Sequence, residues 1–434
     1  MQTNFSESQL ANPEMAASEA IIRKCVHCGF CTATCPTFVL LGDELDSPRG
    51  RIYLIKDMLE NERDPALDVV KHVDRCLSCL SCMTTCPSGV NYMHLVDQAR
   101  AYIEKRYKRP FIERIVRTAL ILTLPNPKRF RMALLLARLV KPIEPLMRRV
   151  KVLNSVSAML RLAPSDLPNP PSNEESLVQN PRGRVAILQG CAEPVLRPEI
   201  RAATVRMINR MGFDVIFASG EVCCGALVHH MGREEASRHA ARTNIDAWMA
   251  EIRGAGLDAI IITASGCGTT IKDYGYMLRN DPAYANKAVQ IAGLAKDISE
   301  WLEEVGVPEG NGRGLNVAYH AACSLQHGQR ITMPPKNILS NIGFALHLPD
   351  EAHLCCGSAG AYNILQPQIA GQLGDRKVAQ LERLKPDVIA TGNIGCAVQI
   401  TQRTDVPVLH VVELMDWATG GPVPAPLSAL LDGR

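Results

Sequence analysis

The stretch CVHCGFCTATCP, residues 25–36, holds four cysteines in a fixed spacing and ends in a proline. The same spacing returns in CLSCLSCMTTCP, residues 76–87. Three cysteines separated by two residues each let one short turn present three thiolates to a cubane iron-sulfur cluster, which then needs one more ligand. Where two such runs occur together, the cysteine before the proline ligates the cluster held mainly by the other run. The two runs therefore predict two clusters with exchanged ligands.

Exchange of the last cysteine defines two ligand sets, each with three cysteines from one run and one from the other. The first predicted [4Fe-4S] cluster has the ligands Cys25, Cys28, Cys31 and Cys86, and the second has Cys76, Cys79, Cys82 and Cys35. Zinc would use four of these thiolates, but a tetrahedral zinc site has no need for three evenly spaced cysteines and a reciprocal fourth. The pattern indicates two centres that carry electrons.

The composition fits a folded chain that stays in a reducing compartment. The 434 residues are 47% hydrophobic and 21% charged, which is typical of a soluble globular protein with more than one domain. The first twenty residues are polar and lack a secretory pattern, so we expect a cytoplasmic protein. Sixteen cysteines in the cytoplasm indicate metal binding or redox chemistry rather than structural disulfides.

Basic charge is concentrated in one stretch of the chain. Between Glu104 and Arg161 there are fifteen Lys and Arg residues against three Glu, although the formal net charge of the whole chain is only +3. Prolines divide this stretch into amphipathic helices, and none of its apolar runs is long enough to span a bilayer. The stretch is either a connector with a solvated basic face or a surface for an anionic membrane or an acidic partner. No nucleic-acid partner is expected.

The last 250 residues, roughly, contain an internal repeat. VAILQGC ends at Cys191 and VAYHAAC ends at Cys323, and a Cys-Cys-Gly turn follows each after the same interval of thirty-one residues. Later, LDAIIITASGC ends at Cys267 and PDVIATGNIGC ends at Cys396. Short apolar runs alternate with helical stretches in both copies, which predicts parallel sheets covered by helices. The cysteines follow strands and should gather at the carboxyl edge of each sheet.

Each copy therefore offers four thiols to one site. The candidate ligands are Cys191, Cys223, Cys224 and Cys267 in the first lobe, and Cys323, Cys355, Cys356 and Cys396 in the second. Four thiols suffice for an iron-sulfur centre or a zinc ion, and they also suit unmetallated redox chemistry. Histidines near these motifs either supply missing ligands and move protons or are ordinary packing residues; they are His229, His230, His320, His327 and His353. Among them we favour His320, three residues before Cys323.

Together these patterns predict an α+β multidomain chain, in which a mainly helical two-cluster ferredoxin module precedes two related α/β cysteine-rich lobes. We place the module at residues 18–100 and a basic amphipathic helical connector and linker at 101–183. The first lobe follows at 184–305 and the second at 306–434. Residues 1–17 are expected to form a loose leader.

The Cys-Cys-Gly repeats resemble the cysteine-rich domains of heterodisulfide reductase, anaerobic glycerol-3-phosphate dehydrogenase and lactate-utilisation proteins. With CVHCGFCTATCPTFVLLGDELDSPRGRIYLIK, RCLSCLSCMTTCPSGV, ASGCGTTIKDYG and HLCCGSAGAY, the chain from about residue 18 onward is similar to the iron-sulfur subunits of bacterial glycolate oxidases. In the heterodisulfide reductase type of domain a CxxC pair supplies a fifth thiolate for a noncubane cluster. Ala264 and Asn393 stand at that position here, which is a departure from that pattern.

The resemblance implies a partnership. A flavin subunit would oxidise a 2-hydroxy acid such as glycolate to glyoxylate, and electrons would leave through this chain to a respiratory acceptor, with quinone expected. The chain would then lie peripherally on the cytoplasmic face of the inner membrane. No G-x-G-x-x-G follows a predicted strand, so we expect the substrate chemistry and its catalytic residues on the partner chain.

Two alternatives share the same motifs. The lobes themselves would reduce a disulfide or a quinone in a thiol redox enzyme of heterodisulfide-reductase type, or the same wiring would serve lactate or glycerol 3-phosphate. Arg49 and Arg51 either face the cluster pair or make solvated and salt-bridged contacts.

Overall fold

A computed structural model describes residues 1–147, 153–164 and 166–432 of the chain. The first segment is helical, and proline begins several of its helices because its fixed φ and missing N–H suit the first helical position. The helices are α1 (Glu7–Leu10), α2 (Pro13–Lys24), α3 (Phe30–Ala33), α4 (Pro36–Leu41), α5 (Pro48–Glu60), α6 (Leu67–Asp74), α7 (Ser81–Thr85) and α8 (Tyr92–Arg106). A 3-10 turn, Glu44–Asp46, precedes α5.

The structure differs from the expected loose leader at residues 1–17. Helix α1 and the first turns of α2 lie in this stretch, and Gln9 is buried. The Gln9 side-chain amide donates hydrogen bonds to the carbonyls of Leu59, at 3.2 Å, and Glu60, at 3.0 Å. The polar composition of this stretch concealed the packing, because one buried amide fixes it to the end of α5.

The connector is also helical, with α9 (Phe111–Thr123), α10 (Pro127–Val140), a 3-10 turn (Lys141–Ile143), α11 (Glu144–Met147) and α12 (Asn154–Leu162). Ion pairs fix α9 to the preceding segment, since Arg109 and Arg117 both contact Asp74, at 2.6 and 3.1 Å. Within the described ranges, no helix has the length and apolar character needed to cross a membrane.

The first lobe is a four-stranded parallel sheet with covering helices. Its elements are β1 (Gly183–Ile187), α13 (Glu193–Leu196), α14 (Pro198–Arg210), β2 (Phe213–Ile216), α15 (Ala226–His230), α16 (Glu234–Arg253), β3 (Ala259–Ile262), α17 (Ser265–Lys272), α18 (Tyr274–Met277), α19 (Ala285–Leu294), β4 (Ala295–Asp297) and α20 (Ile298–Val305). The strand order is β2-β1-β3-β4, with Val185 of β1 opposite Val215 and Ala259.

The second lobe repeats this topology. Its elements are β5 (Asn316–His320), a π-helical turn (Ser324–Gly328), α21 (Pro334–Asn341), β6 (Ala345–His347), α22 (Tyr362–Leu365), α23 (Pro367–Glu382), β7 (Val388–Thr391), α24 (Ile394–Thr401), β8 (Val408–His410), α25 (Val411–Ala418) and α26 (Ala425–Asp432). The order is β6-β5-β7-β8, with Val317 of β5 opposite Leu346 and Val388. The predicted α+β class, with a helical segment followed by two related lobes, is confirmed.

The two lobes pack against each other through helices rather than through their sheets. One apolar core joins Ile208 of α14 and Trp301 of α20 to Leu339 of α21 and Trp417 of α25. Buried Asp416 forms ion pairs with Arg206 and Arg210 of α14 across this interface. The helical packing leaves the carboxyl edges of both sheets available for the cysteines.

Candidate metal centres

Both four-cysteine runs fold into the same turn. Between the first and second cysteines, His27 and Ser78 have φ of 58° and 51°. Between the second and third cysteines, Gly29 and Leu80 have φ of 89° and 63°. Left-handed residues in such turns direct successive backbone N–H groups toward one point, where they favour an anionic group such as a thiolate-bound cluster. Leu80 has this positive φ although it is not glycine. The second run therefore keeps the turn despite the preference of leucine for negative φ.

The first sulfur set lies at the surface. Cys25, Cys28, Cys31 and Cys86 line one cleft together with Cys82, so cysteines of the second run lie beside three cysteines of the first. Cys28 is exposed, and beside it Val26 and Phe30 are 67% and 63% exposed. Burial, followed by the neighbouring thiols of Cys25 and Cys35, raises the pKa of Cys31 to about 11. A cation bound among these sulfurs would favour the thiolates that burial disfavours.

The second sulfur set is buried. Cys76, Cys79 and Cys82 belong to the second run, and Cys35 lies close enough to act on them electrostatically. Burial raises the pKa of Cys82, and the nearby Cys79, Cys76 and Cys35 raise it further. Burial therefore keeps the thiols of Cys79 and Cys82 protonated unless a metal compensates the charge of their thiolates. The residues therefore fit an iron-sulfur core with reciprocal donation.

Arg51 lies beside the second set. Its side chain is 1% exposed, and its Nη1 is 3.8 Å from the Cys35 sulfur. The Arg51 Nη2 donates to Thr37 Oγ1 at 3.0 Å and to Asp46 at 3.2 Å, and its Nε donates to the His72 carbonyl at 2.6 Å. Arg51 thus both faces a cluster cysteine and takes part in a buried ion pair. Arg49 lines the cleft of the first set, where it pairs with Glu44 at 2.5 Å.

The lobes also bring their thiols together. The Cys191 and Cys223 sulfurs are 3.6 Å apart, and those of Cys323 and Cys355 are 3.7 Å apart. The glycine after each Cys-Cys pair has φ of 85°, which allows the turn that draws adjacent thiols to one site. None of the sixteen cysteines, all of which are described, forms a disulfide.

Hydrogen bonds among the sulfurs complete each set. In the first lobe, hydrogen bonds with Cys191 and Cys224 lower the pKa of Cys223. Hydrogen bonds with Cys223 and Cys267 raise the pKa of Cys224, so Cys267 belongs to the same group. In the second lobe, hydrogen bonds with Cys355 and then Cys396 lower the pKa of Cys356. The candidate ligands of each lobe therefore meet at the edge of its sheet.

The two lobes differ in the polar groups beside the thiols. In the second lobe, one ligand atom of His320 lies within 4.8 Å of the sulfurs of Cys356 and Cys396. Asn393 donates from Nδ2 to the Cys396 sulfur at 3.5 Å. In the first lobe, Leu188 and Ala264 occupy the corresponding sequence positions. Only the histidine among these side chains adds a metal-binding nitrogen.

The other candidate histidines lie elsewhere. His229 and His230 contact Asp97 of α8 at 3.2 and 3.4 Å. His327 is 2.8 Å from the Thr84 hydroxyl and 3.1 Å from the carbonyl of His353. The contacts of His229, His230 and His327 join the helical segment to the lobes and give these three histidines packing roles at interfaces, whereas His353 contributes its backbone carbonyl.

The second sulfur set lies against the second lobe. Cys79 and Leu77 belong to one apolar cluster with Cys355 and Tyr362, and Cys323 packs against that cluster. The Tyr362 hydroxyl donates to the Arg75 carbonyl at 2.9 Å. Sequence reasoning missed this contact, because the motifs are separated by more than two hundred residues and share no signal that pairs them.

Comparison with known proteins agrees with these sites. The family described as a 4Fe-4S dicluster domain matches residues 21–90, and the family described as a cysteine-rich domain matches residues 185–272 and 317–401. A solved structure of a hypothetical protein from Helicobacter pylori has a TM-score of 0.55 at 12% identity, covers 95% of this chain and 73% of that chain, and shows likeness of fold alone.

Curated relatives extend over the whole chain. The glycolate oxidase iron-sulfur subunit of Escherichia coli (strain K12) is 43% identical over 96% of this chain and 99% of its own length. A probable glycolate oxidase iron-sulfur subunit of Bacillus subtilis (strain 168) is 30% identical, over 97% and 99%. Lactate utilization protein A of Bacillus licheniformis is 25% identical over 54% of this chain and 99% of its own length. The chain therefore belongs to the family of glycolate oxidase iron-sulfur subunits, which are electron-transferring components of oxidoreductase complexes.

Proposed function

We propose that this chain carries electrons from a flavin-containing subunit, which oxidises glycolate to glyoxylate, to a respiratory acceptor. The observation that supports it is the reciprocal arrangement of two four-cysteine sets, one at the surface and one buried against the second lobe. The substrate is inferred from the names of the Escherichia coli and Bacillus subtilis relatives alone. No residue of the chain is proposed to act on glycolate itself.

The first proposed ligand set includes the exposed Cys28, whereas all four cysteines of the second are buried. Cys25, Cys28, Cys31 and Cys86 would hold one [4Fe-4S] cluster, and Cys76, Cys79, Cys82 and Cys35 would hold a second. Such a cluster supplies one-electron transfer when bound. The protein orients the thiolates through its left-handed turns and excludes water from the second set. Arg51 places a positive charge beside Cys35, where it favours the more negative, reduced state of the site.

The flavin partner would dock at the exposed first set. Val26 and Phe30 flank Cys28, and Tyr53 is also an exposed large side chain. Tyr and Phe are enriched in protein interfaces, and aromatic side chains there often contribute most of the binding energy. A partner on this surface would cover the exposed Cys28 and bring its flavin close to the first cluster.

A face of α10 is proposed to lie on an anionic membrane surface. Met132, Leu135, Leu136, Leu139 and Val140 recur at helical spacing and are all exposed. Leu134, on another face of the helix, packs in an apolar cluster with Val195 and Ala163. Basic side chains near both ends of α10 complement anionic lipid headgroups. This position would hold the complex at the cytoplasmic face of the inner membrane, where a quinone acceptor is available.

The alternative in which the lobes act as a thiol enzyme has less support. Cys224, Cys355 and Cys356 are buried, so a substrate disulfide would not reach their sulfurs without local opening. Lactate or glycerol 3-phosphate would use the same electron route, because none of the features above recognises a hydroxy acid.

The experiment that tests the proposal separates substrate oxidation from electron exit. The chain is purified anaerobically with its flavin partner, and glycolate-dependent bleaching of the flavin and reduction of an external dye are followed separately. In the Cys79→Ser variant we expect glycolate to bleach the flavin while dye reduction falls at least about tenfold, since the route beyond the first set is interrupted. Full turnover by this chain alone, or unchanged dye reduction in the variant, would contradict the proposal.

A further inference from the structure

We propose that the second lobe binds an iron-sulfur centre in which His320 is a ligand beside Cys323, Cys355, Cys356 and Cys396, and that the first lobe has no such nitrogen ligand. This would be a third metal centre, in addition to the two sets of the helical segment. The inference extends the proposed electron-transfer function. Only the exchange of electrons between this centre and the second sulfur set rests on that proposed function.

The burial of His320 is the first argument. Its side chain is 1% exposed at the end of β5, and neither ring nitrogen makes a hydrogen bond to a nitrogen or oxygen atom of the described residues. A buried polar group without a partner is costly, and native proteins rarely leave one in place without a function or a bound group. One ring nitrogen of His320 therefore has only the sulfurs of Cys356 and Cys396 as polar neighbours, within 4.8 Å.

The convergence of donors is the second argument. One nitrogen of His320 and the sulfurs of Cys356 and Cys396 lie within 4.8 Å of one another, and all three residues are buried. Cys323 and Cys355 add two more sulfurs, 3.7 Å apart. Five donors exceed the four of a tetrahedral zinc site, whereas an iron-sulfur centre has several irons to receive them. The nearby Asn393 orients the Cys396 sulfur through its amide, as outer partners do in metal sites.

The first lobe provides the internal comparison. Leu188 corresponds to His320 in the repeat, and it is buried in an apolar cluster with Cys223 and Cys224. Ala264 corresponds to Asn393 and offers no donor. The first lobe therefore keeps four thiols but lacks both polar side chains that surround the sulfurs in the second.

The position of the second lobe is the third argument. Cys79 of the buried sulfur set shares an apolar cluster with Cys355, and Cys323 packs against it. In contrast, the first-lobe thiols Cys223 and Cys224 belong to a different cluster, formed within their own lobe. A centre at His320 would thus adjoin the second set directly, where one-electron exchange is favoured.

The test uses the chain alone, without a flavin partner or a substrate. A negative result would therefore contradict the third metal centre and would not bear on the proposed transfer of electrons from glycolate. Iron is counted per chain after anaerobic purification of the wild type, His320→Leu and Leu188→Ala. We expect the wild type to exceed the roughly eight irons of two [4Fe-4S] clusters. His320→Leu, which installs the residue of the first lobe, should lower the count to about that number. Leu188→Ala should leave the count unchanged.

A spectroscopic measurement identifies the ligand itself. Protein labelled with 15N-histidine is brought to its paramagnetic states, and the nitrogen coupling of each cluster signal is recorded by pulsed paramagnetic resonance. We expect a coupling that disappears in His320→Leu and persists in His27→Ala, because His27 lies at the first cleft. His320→Cys should restore iron without the coupling, since it replaces nitrogen with a thiolate.

Several results would overturn the inference. These are a wild type with no iron beyond two clusters, zinc in place of the additional iron, a His320→Leu protein with unchanged iron and coupling, and loss of iron in His320→Leu that His320→Cys does not restore. The signals of the two clusters in the helical segment serve as the control for folding, since they should survive in every variant.

Discussion

At the scale of single residues, Arg51 places a buried cation beside a cluster cysteine. Its guanidinium contacts the Cys35 sulfur and also pairs with Asp46, whose other carboxylate oxygen is 2.7 Å from Arg75. The sequence showed two arginines near the first run but gave no means to decide which sulfur set each one faces. The choice depends on the direction in which α5 packs, and α5 places Arg51 inside and Arg49 at the surface.

Replacing Arg51 should lower the reduction potential of the second cluster. In Arg51→Gln, the reduced state loses a neighbouring positive charge, and the remaining Asp46 carboxylate acts in the same direction. We expect a decrease of about 60 mV, which corresponds to a tenfold change in the one-electron equilibrium. A redox titration monitored by paramagnetic resonance measures it. Arg49→Gln is the matched control and should change this potential much less; equal potentials in wild type and Arg51→Gln would contradict the role assigned to Arg51.

At the scale of elements, the Cys-Cys-Gly turn of the second lobe packs closely on α23. A methyl group at Gly357 would lie 2.6 Å from the carbonyl oxygen of Ala370, and Gly357 has φ of 85°. The sequence predicted that glycine suits this turn, which the backbone angle confirms. The close approach of α23 is a tertiary contact that no local pattern contains.

Two glycine-to-alanine substitutions, one in the Cys-Cys-Gly turn and one in α23, should have opposite effects on stability. Gly357→Ala should lower the free energy of unfolding by about 2 kcal/mol or more, because it combines an unfavourable φ with a backbone clash. Gly371→Ala lies within α23, where a methyl group meets no atom within 4 Å, and should raise stability by about 0.5–1 kcal/mol. Thermal unfolding of both variants checks this. Similar stabilities for the two variants would be the contrary outcome.

The exposed face of α10 gives a second prediction at this scale. The double variant Leu136→Glu with Leu139→Glu should weaken binding to vesicles that contain anionic lipid by more than about tenfold, because each leucine contributes at least about 1 kcal/mol of apolar burial. Flotation of the chain with anionic and neutral vesicles measures it, and added salt should weaken the wild-type binding. Leu177→Glu, another exposed leucine, is the control and should bind normally. Wild-type binding that is equal for both lipids would exclude the charge contribution.

At the scale of the whole molecule, polar contacts join the two lobes. The ring of His410 in the second lobe donates from Nε2 to the Thr263 carbonyl of the first lobe at 2.9 Å, while Nδ1 accepts from Val412 N–H at 3.2 Å. Arg197 of the first lobe pairs with Glu413 of the second at 2.9 Å. The neutral imidazole therefore satisfies one donor and one acceptor at the interface.

The stability of this interface should depend on pH through His410. Burial lowers the pKa of His410 from 6.5 to about 4. Between these values the unfolded chain binds a proton that the folded chain does not, so stability is fully present above pH 6.5 and falls as the pH decreases toward 4. The expected slope is about 1.4 kcal/mol per pH unit. Asp297 opposes it, because burial raises its pKa to about 6 and its contribution decreases as the pH rises toward that value.

Denaturation of the wild type and His410→Gln at a series of pH values isolates the histidine, because Asp297 contributes equally to both proteins. The difference in the free energy of unfolding between them should change across the window from pH 6.5 to pH 4 and stay constant above it. A constant difference throughout would assign the acid sensitivity of the molecule to other groups.

The sequence was sufficient for whatever depends on local spacing. The two cysteine runs and the repeat are visible in the sequence itself. The alternation of short apolar runs with helical stretches predicted the parallel sheets. The sequence did not predict the packing of residues 1–17 or the contact between Cys79 and Cys355, since these depend on distant surfaces that meet only in the folded chain. His320 was favoured from its position in the chain, yet its lack of nitrogen or oxygen partners among the described residues required the structure.

The burial of the second sulfur set also constrains biogenesis. Cys79 packs against the second lobe, whose first strand begins more than two hundred residues later in the chain. Scaffold proteins that deliver iron and sulfide need access to these thiols, and that access ends once the carboxyl-terminal half docks. Maturation should therefore follow the order of synthesis, with the inorganic core inserted into the nascent amino-terminal half before the rest of the polypeptide seals it in.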